Sequence, residues 1–459
     1  MIFDKIAINI DDIAIANFMR KIYFLGFLII SSLFIGCSKN GQQGELVGAY
    51  NKKFKNKTIP FGMVFIPQGR ALIGMTDEDM SFYQGSPSRM TSFTAFYMDQ
   101  TEITNAEYRQ FVNWVRDSIA ISSMGQAGAP TLYKPAPTGT TPSGPQNINW
   151  KTASRKGILW GKNNQYSAKL QNMYYSGNDA LSGRNEIDVR KLRYAYEYVN
   201  LDLVAAGRND PNKSRQDFIE RYVDSPTPGK ANEHPSVNVY PDTMVWKMDY
   251  SYSQNDPMVE SYFNHPSYDE YPVVGVTWEQ ANAFCNWRTV FYNNVAAARG
   301  IPVNARNKYR LPTDQEFEYA ARGGNTKTTY PWGGPYIMNV KGCLQANFKV
   351  GRGNYTDDGG MYTVNAKAYL PNDYGLYCMA GNVAEWTSTA YNKSATSLLL
   401  DFNPNYTNTK KGAKVVRGGS WKDIGFFLQN SVGTYEVQDK PRSYIGFRCV
   451  SDFAGNSIN

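Results

Sequence analysis

Three helix starts separated by loop-rich sequence constrain the fold of this chain more than any other feature. At Thr104, Thr277 and Thr313, a threonine is followed three residues later by a glutamate or glutamine. In such a capping box the threonine hydroxyl accepts from a free backbone N–H, and the later side chain reaches back to the threonine backbone. The chain also contains 39 Gly and 23 Pro, which favour turns over further long helices. We therefore predict an irregular α+β fold with few helices.

The apolar residues around these starts predict specific elements. The first helix is expected to bury one face, made of Tyr108, Phe111, Val112, Val115 and Ile119. In the second helix Ala281, Phe284 and Cys285 share a face, so Cys285 is predicted to be a core residue. Short strands are predicted at 63–67, 71–75 and 93–98.

The N-terminus resembles a lipoprotein export signal. A positive stretch, Met19-Arg20-Lys21, precedes an apolar run at 22–34 that is too short for a comfortable membrane span. The run ends in Leu33-Phe34-Ile35-Gly36-Cys37, the pattern of a bacterial lipobox. We therefore predict an upstream extension and signal peptide at 1–36, acyl chains on Cys37, and a polar tether at 37–58. An ordinary signal peptide with an incidental cysteine is the alternative.

The residues after Cys37 bear on the cellular localisation of the protein. Ser38-Lys39-Asn40-Gly41 has no acidic residue. In lipoproteins of the Bacteroidota, an acidic patch at this place is the usual cue for export to the cell surface. By that resemblance, we expect a lipid-anchored protein on the periplasmic face of the outer membrane.

Charge and side-chain counts exclude several functions. The formal net charge is +8 over 459 residues, with no Lys/Arg run or stacking motif, so no nucleic-acid partner is expected. Two histidines are too few for a His-rich metal site or a Ser-His-Asp triad. Besides Cys37 there are four cysteines, for which three full disulfide pairings remain open.

The interval 120–265, called the insertion below, differs in character from its flanks. Residues 128–145 are rich in Pro, Gly and Thr and are predicted to be extended or disordered. From Lys151 to Tyr222 there are 13 Lys/Arg against 8 Asp/Glu, interleaved with Tyr and Trp. A short helix is predicted from Ser214 through Val223. Either the insertion is a solvated surface elaboration, or it binds a partner, since Tyr and Arg are favoured as interface anchors.

Spaced motifs outside the insertion resemble the formylglycine-generating enzyme (sulfatase-modifying factor) family. They occur in order at 63–69, 97–111, 271–278, 310–324, 330–333, 375–387, 417–421 and 446–448. The last two are Arg417-Gly418-Gly419-Ser420-Trp421 and Gly446-Phe447-Arg448. The resemblance implies a compact, irregular α+β fold related to C-type lectins. It covers 59–119 and 266–455, called the family-like domain below, with 120–265 as a large insertion.

The reactive centre of the family is missing from this chain. Active members hold copper(I) with two cysteine thiolates between the Gly-Gly-Ser and Gly-Phe-Arg motifs, which suits a soft metal. Counting back from Gly446 places them near Gly425 and Asn430, and residues 421–445 contain neither Cys nor His. The resemblance therefore implies a scaffold that is not an enzyme.

Calcium is the one cofactor that the resemblance suggests, and the role expected of this chain does not require it. One family site maps onto Cys378, Gly381, Val383 and Glu385, where the thiol is a poor ligand for a hard cation. The other maps onto Asn347, the Phe348 carbonyl and an acid in Asp357-Asp358, and all of these oxygens are present. The alternative for the second site is an Asx-type turn in a Gly/Asp-rich loop.

Within the family, the lipobox, tether and Tyr-rich insertion look most like the GldK/PorK lipoproteins of gliding motility and type IX secretion, with GldJ a less favoured match. This implies a structural lipoprotein that forms a periplasmic ring with copies of itself and with a GldN/PorN-like periplasmic protein. Two alternatives remain: a periplasmic metal-dependent oxidase on the same scaffold, and a glycan-binding lipoprotein.

Overall fold

The three predicted capping boxes begin the three main helices of the protein. In the computed structural model Thr104, Thr277 and Thr313 each accept a hydrogen bond from the backbone N–H three residues on, and the reciprocal side-chain bond is present in each case. The first helix keeps its predicted face, with Tyr108, Phe111, Val112 and Val115 buried. It continues to Gly128, past the end of its apolar pattern, with a break at Gly125, where φ is 63°.

The structure describes residues 59–453 apart from gaps at 75–87, 135–146, 156–157, 162–164, 182–183, 208, 250–254, 301–307, 326–327, 352–358, 393–399 and 409–411. Cys37, the upstream extension, the signal peptide and the whole tether at 37–58 lie outside the described residues, as do Asp357 and Asp358. Residues 56–459 form one compact unit. No helix within the described ranges is both long and apolar enough to cross a membrane.

The helices, in chain order, are α1 Asn105–Gly128, α2 Trp150–Ala153, α3 Leu201–Gly207, α4 Val245–Met248, α5 Asp256–Ser261, α6 Trp278–Ala298 and α7 Asp314–Ala321. The strands are β1 Met63–Ile66, β2 Gly69–Ile73, β3 Arg89–Phe93, β4 Phe96–Asp99, β5 Arg193–Tyr194, β6 Tyr196–Val199, β7 Ile219–Val223, β8 Glu233–Pro235, β9 Val237–Asn238, β10 Tyr309–Arg310, β11 Ala384–Ala390, β12 Ala413–Arg417, β13 Gly433–Val437, β14 Ile445–Gly446 and β15 Val450–Asp452.

Two four-stranded sheets carry the family-like domain. One has the order β1-β4-β15-β10 and the other β13-β12-β11-β14, in which β11 and β14 run parallel. The strand predicted at 93–98 is wrong as a single element, because β3 ends at Phe93 and β4 begins at Phe96. β3 pairs with β2 and β4 pairs with β1, so the chain changes sheets between them.

The insertion shares the hydrophobic core of the family-like domain. Ile148, Leu170 and Tyr194 are buried in the same cluster as Phe111 and Phe284. The Tyr194 ring meets Phe111 edge to face, and Trp150 stacks on Trp114 of α1. Burying an aliphatic or aromatic side chain of this size stabilises a fold by about 1.5–3 kcal/mol. Much of the aromatic content of the insertion therefore serves packing.

The insertion has its own small sheet, in the order β6-β7-β8. Ser214 and Asp217 form a capping box, but the helix predicted from Ser214 through Val223 is wrong. A single 3₁₀ turn at Arg215–Phe218 gives way to strand β7. The β-branched residues Ile219 and Val223, with Tyr222, suit a pleated strand better than a helix.

Candidate functional site

Ion pairs fix the backbone around the Arg-Gly-Gly-Ser-Trp motif. Arg417, at the end of β12, pairs with Asp314 and with Glu318 of α7, and its Nη1 donates to the Asn430 carbonyl at 3.0 Å. Glu318 in turn pairs with Arg322 at 2.7 Å. Gly419 follows with φ of 67°, and a Cβ there would lie 2.7 Å from the Phe427 carbonyl oxygen. Only glycine fits this approach without a shift of the backbone.

Apolar side chains occupy the place where the family resemblance puts a reactive thiol pair. Gly425 opens a 3₁₀ turn at Gly425–Leu428, and a Cβ on it would contact Ile337 and Phe348. Leu428 is buried in a cluster with Phe348. Asn430 donates its Nδ2 to the Thr328 carbonyl at 3.1 Å. Within the described ranges, no cluster of three or more His, Cys, Asp or Glu side chains could hold a metal ion.

A buried ion pair ties the Gly-Phe-Arg motif to β11. Arg448 donates to Glu385 through Nη2 at 2.6 Å and through Nε at 2.7 Å, and both side chains are fully buried. Glu102 lies beside them. Its Oε1 accepts from Asn382, while its buried Oε2 has no partner in the described part of the chain. Burial, and then the charge of Glu385, raise the pKa of Glu102 well above its usual range, which favours a protonated carboxyl.

The calcium position predicted at Glu385 fits a cation poorly. Arg448 already supplies the positive charge that the Glu385 carboxylate needs. Cys378 contributes a buried thiol, whose pKa is raised well above its usual value by burial. Gly381 approaches Asn347 so closely that a Cβ would lie 2.6 Å from the Asn347 carbonyl oxygen, and Val383 is packed among apolar side chains. This geometry favours an ion pair over calcium at this position.

The second predicted calcium position centres on a buried asparagine. Asn347 donates its Nδ2 to the Tyr362 carbonyl at 2.6 Å, and its Oδ1 accepts from the Gly360 N–H at 3.1 Å. Asn347 and Phe348 precede the 352–358 gap, and Gly360 follows it. Gly360 is therefore held next to Asn347. Asp357 and Asp358 themselves lie outside the described residues.

The predicted core role of Cys285 is confirmed, and the structure adds a partner that the sequence left open. The Sγ atoms of Cys285 in α6 and Cys449 before β15 lie 3.3 Å apart, and both residues are buried. Burial and the neighbouring thiol raise the pKa of Cys449 well above its usual value. A buried thiol of raised pKa is a weak nucleophile. Cys343 is exposed and Cys378 is buried.

The sequence did not predict that Arg448, Glu385 and Glu102 form one buried cluster, although all three residues lie in the family motifs. Their partners are far apart in the chain, Glu102 and Asn382 being 280 positions distant. Glu385 and Arg448 each lie among apolar residues of their motifs. This pattern could have indicated a buried ion pair, because a buried charge needs a partner.

Comparison with known proteins assigns the chain to a family. Residues 50–453 match the model of the "Sulfatase-modifying factor enzyme 1-like domain", and the chain belongs to that family. The predicted resemblance to formylglycine-generating enzymes and the irregular α+β fold are thereby confirmed.

Individual relatives cover part of the chain. "Inactive C-alpha-formylglycine-generating enzyme 2" of Bos taurus is 33% identical over 190 residues, which are 40% of this chain and 50% of that protein. "Formylglycine-generating enzyme" of Mus musculus is 33% identical over 188 residues, 40% of this chain and 44% of that protein. The chain thus spans about half the length of the curated relatives it matches. Among solved structures, PvdO from Pseudomonas aeruginosa superposes with a TM-score of 0.44 and 14% identity, covering 85% of this chain and 94% of that one.

Proposed function

We propose that this chain is a non-catalytic assembly protein, anchored by a lipid on Cys37 at the periplasmic face of the outer membrane. The observation that carries the proposal is the segment 421–445, which keeps the scaffold of the family but contains neither Cys nor His. Apolar packing by Gly425 and Leu428 occupies that place. A matching relative is named an inactive formylglycine-generating enzyme, which supports the same conclusion.

The assembly we propose is a ring of copies of this chain with a GldN/PorN-like periplasmic protein, as part of a type IX secretion and gliding machinery. The insertion is the surface we assign to that partner. Most of its aromatic side chains pack inward, so basic residues form the exposed contact. Lys151 and Arg155 lie four positions apart, are exposed, and form no salt bridge with the described residues. Such unpaired cations attract an acidic surface and speed its association.

Charge reversal tests this interface. The mature chain from Cys37 onward, purified in detergent, is mixed with the purified GldN/PorN-like protein, and complex formation is followed by size-exclusion chromatography with light scattering. We expect Lys151→Glu with Arg155→Glu to weaken the complex about 10-fold or more at low salt. The matched control reverses two exposed lysines of the family-like domain, Lys341→Glu with Lys440→Glu. Equal binding by both variants would place the interface elsewhere.

The rival function, a metal-dependent oxidase, predicts a different chemistry. The purified protein is titrated with copper(I) and with iron(II), and oxygen consumption is followed in the presence of a thiol substrate. We expect no stoichiometric soft-metal binding and no oxygen uptake. Stoichiometric copper or iron with thiol-dependent oxygen consumption would establish the oxidase and overturn the assembly role.

We also propose that calcium, where it binds, uses Asn347, the Phe348 carbonyl and the acids Asp357 and Asp358. Calcium prefers oxygen ligands of this kind. Gly360, two positions after Asp358 in the chain, donates to the Asn347 side chain, and this contact supports the proposal. The role of the ion would be to hold this loop, with no part in catalysis.

A further inference from the structure

A cleft with a volume of about 450 Å³ lies between the small sheet of the insertion and the family-like domain. The sheet contributes Tyr198, Glu220, Tyr222 and His234. Tyr198 is opposite Glu220, and Tyr222 is opposite His234, so strand pairing supports a shared face. The facing wall includes Trp278 and Glu279 at the start of α6 and Lys414 of β12. The two carboxylates of the lining have protein partners: Glu220 bonds to His234 and Glu279 accepts from Gln438. A smaller adjoining pocket of about 170 Å³ shares Tyr198, Tyr222 and Trp278.

The aromatic side chains of the cleft are held rigidly. Tyr222 stacks on Tyr196 with 4.6 Å between ring centroids and 6° between planes. The Trp278 indole N–H donates to the Thr387 carbonyl at 2.8 Å, which fixes the orientation of the ring. The Trp278 ring, fixed in this way, gives a ligand an apolar contact at little entropic cost.

Lys414 is a cation in this cleft that lacks an anion. The residue is 4% exposed, and its Nζ lies over the Trp278 ring, 4.1 Å from the centroid. No carboxylate in the described part of the chain forms a salt bridge with it. Burial lowers its pKa to about 8, so most molecules still carry the charge at pH 7. A buried charge costs free energy unless it is paired, and a ligand anion would supply the pair.

Neutral polar groups in the cleft are also oriented by the protein. Asn282 donates its Nδ2 to the Trp278 carbonyl at 3.0 Å, and its Oδ1 has no partner among the described residues. Asn405 accepts from Thr389 through Oδ1 at 2.9 Å, and its Nδ2 likewise has none. The two side chains thus present one acceptor and one donor to a ligand. Paired donors and acceptors of this kind match hydroxyl groups, each of which both donates and accepts.

We propose that this cleft binds a short acidic saccharide of the uronic acid class. A pyranose ring packs its C–H groups against Trp278, its carboxylate binds Lys414, and its hydroxyls bond to Asn282 and Asn405. The volume lies in the range of about 300–1,000 Å³ that is usual for small-ligand sites. A peptide anchor is less favoured, since strong peptide anchors fill dry apolar pockets and these walls are rich in amides. The site gives the glycan-binding alternative a location, and it does not depend on the assembly role.

Calorimetric titration of the full mature chain tests the proposal, with Trp fluorescence as a second readout. The probes are trigalacturonic acid, neutral maltotriose and the peptide triglutamate. We expect trigalacturonic acid to bind with a Kd between about 1 µM and 1 mM, and maltotriose to bind at least about 10-fold more weakly. Lys414→Met should weaken trigalacturonate binding by about 10- to 100-fold, the value of a charge-assisted hydrogen bond. Lys440→Met, an exposed lysine outside the cleft, is the matched control.

Each other result would overturn the proposal. If triglutamate binds as well as or better than trigalacturonate, the cleft is a peptide site. Equal binding of both trisaccharides, unaffected by Lys414→Met, would remove the charge argument. If no probe binds, the cleft takes no acidic saccharide. Trp278→Phe keeps an aromatic ring and serves as a second variant if Lys414→Met alters the melting curve, and the loss of indole overlap should weaken trigalacturonate binding.

Discussion

Arg448 donates to both carboxylate oxygens of Glu385 where neither side chain reaches solvent. Its Nη1 also donates to the Asp99 carbonyl at 3.3 Å and its Nη2 to the Tyr377 carbonyl at 3.0 Å. One guanidinium therefore connects β4, β11 and the loop before β11. The pair thus joins two of the family motifs in the fold.

Removal of one member of this pair should be far more costly than removal of both. Arg448→Met leaves the Glu385 carboxylate buried without its cation, and we expect a loss of about 3–5 kcal/mol in the free energy of unfolding. Urea denaturation measures it. The double variant Arg448→Met with Glu385→Gln should recover part of that loss. Arg190→Met, which removes an exposed guanidinium, should cost much less, because exposed ion pairs contribute little to stability. A loss for Arg448→Met as small as that of Arg190→Met would contradict a buried pair.

The contact between Cys285 and Cys449 predicts a disulfide when the protein is made in an oxidising compartment. The two Sγ atoms are 3.3 Å apart and 164 positions separate them in the chain. Closing so long a loop stabilises a fold by about 5 kcal/mol in the chain-entropy model. Protein exported to the periplasm should therefore melt at a lower temperature after reduction, and mass spectrometry should find this pair linked.

Two variants separate this pair from the other cysteines. Cys449→Ser should abolish the effect of the reductant on the melting temperature, whereas Cys343→Ser, at an exposed thiol, should leave it unchanged. Free thiols at both Cys285 and Cys449 in exported protein would show that the disulfide does not form.

Calcium bound by Asn347, Asp357 and Asp358 should raise the melting temperature of the protein. We expect a rise on adding calcium to chelator-treated protein that follows its binding isotherm, because a ligand specific to the folded state stabilises it. Asp357→Asn with Asp358→Asn should remove that rise. Glu385→Gln should keep it, since Arg448 already neutralises that carboxylate. If Glu385→Gln alone removes the effect, calcium binds at Glu385.

The helix starts were predictable because a capping box is a local signal: Thr104, Thr277 and Thr313 bond within three residues of themselves. The limits of the strand prediction have a non-local cause. Residues 93–98 read as one apolar run, but the chain changes sheets between Phe93 and Phe96, which depends on pairing with β2 and β1.

The candidate sites were only half predictable for the same reason. The absence of thiols between Trp421 and Ile445 is visible in the sequence. The position of Lys414 over Trp278 is not, because it depends on contact between residues more than a hundred positions apart. The inward packing of Trp150 and Tyr194 could not be foreseen either, since an aromatic residue suits a core and an interface equally.

Lys414 should make the protein less stable at neutral pH than a neutral residue in its place. Its pKa in the folded state is about 8, below its value in the unfolded chain, because burial disfavours the charged form. Below pH 8 both states are protonated and the folded state bears the full cost of desolvation. Between pH 8 and about 10.4 the unfolded state binds more protons, so stability rises with pH.

Lys414→Met should therefore be more stable than the parent protein by about 1–3 kcal/mol at pH 7, after allowance for the lost contact with Trp278. The difference in unfolding free energy between the two proteins should shrink towards pH 10, because the shared titration of all other groups cancels. Urea denaturation at several pH values measures this difference. If Lys414→Met is less stable at pH 7, the ammonium has a stabilising partner in the protein, and the case for a ligand anion in the cleft loses its support.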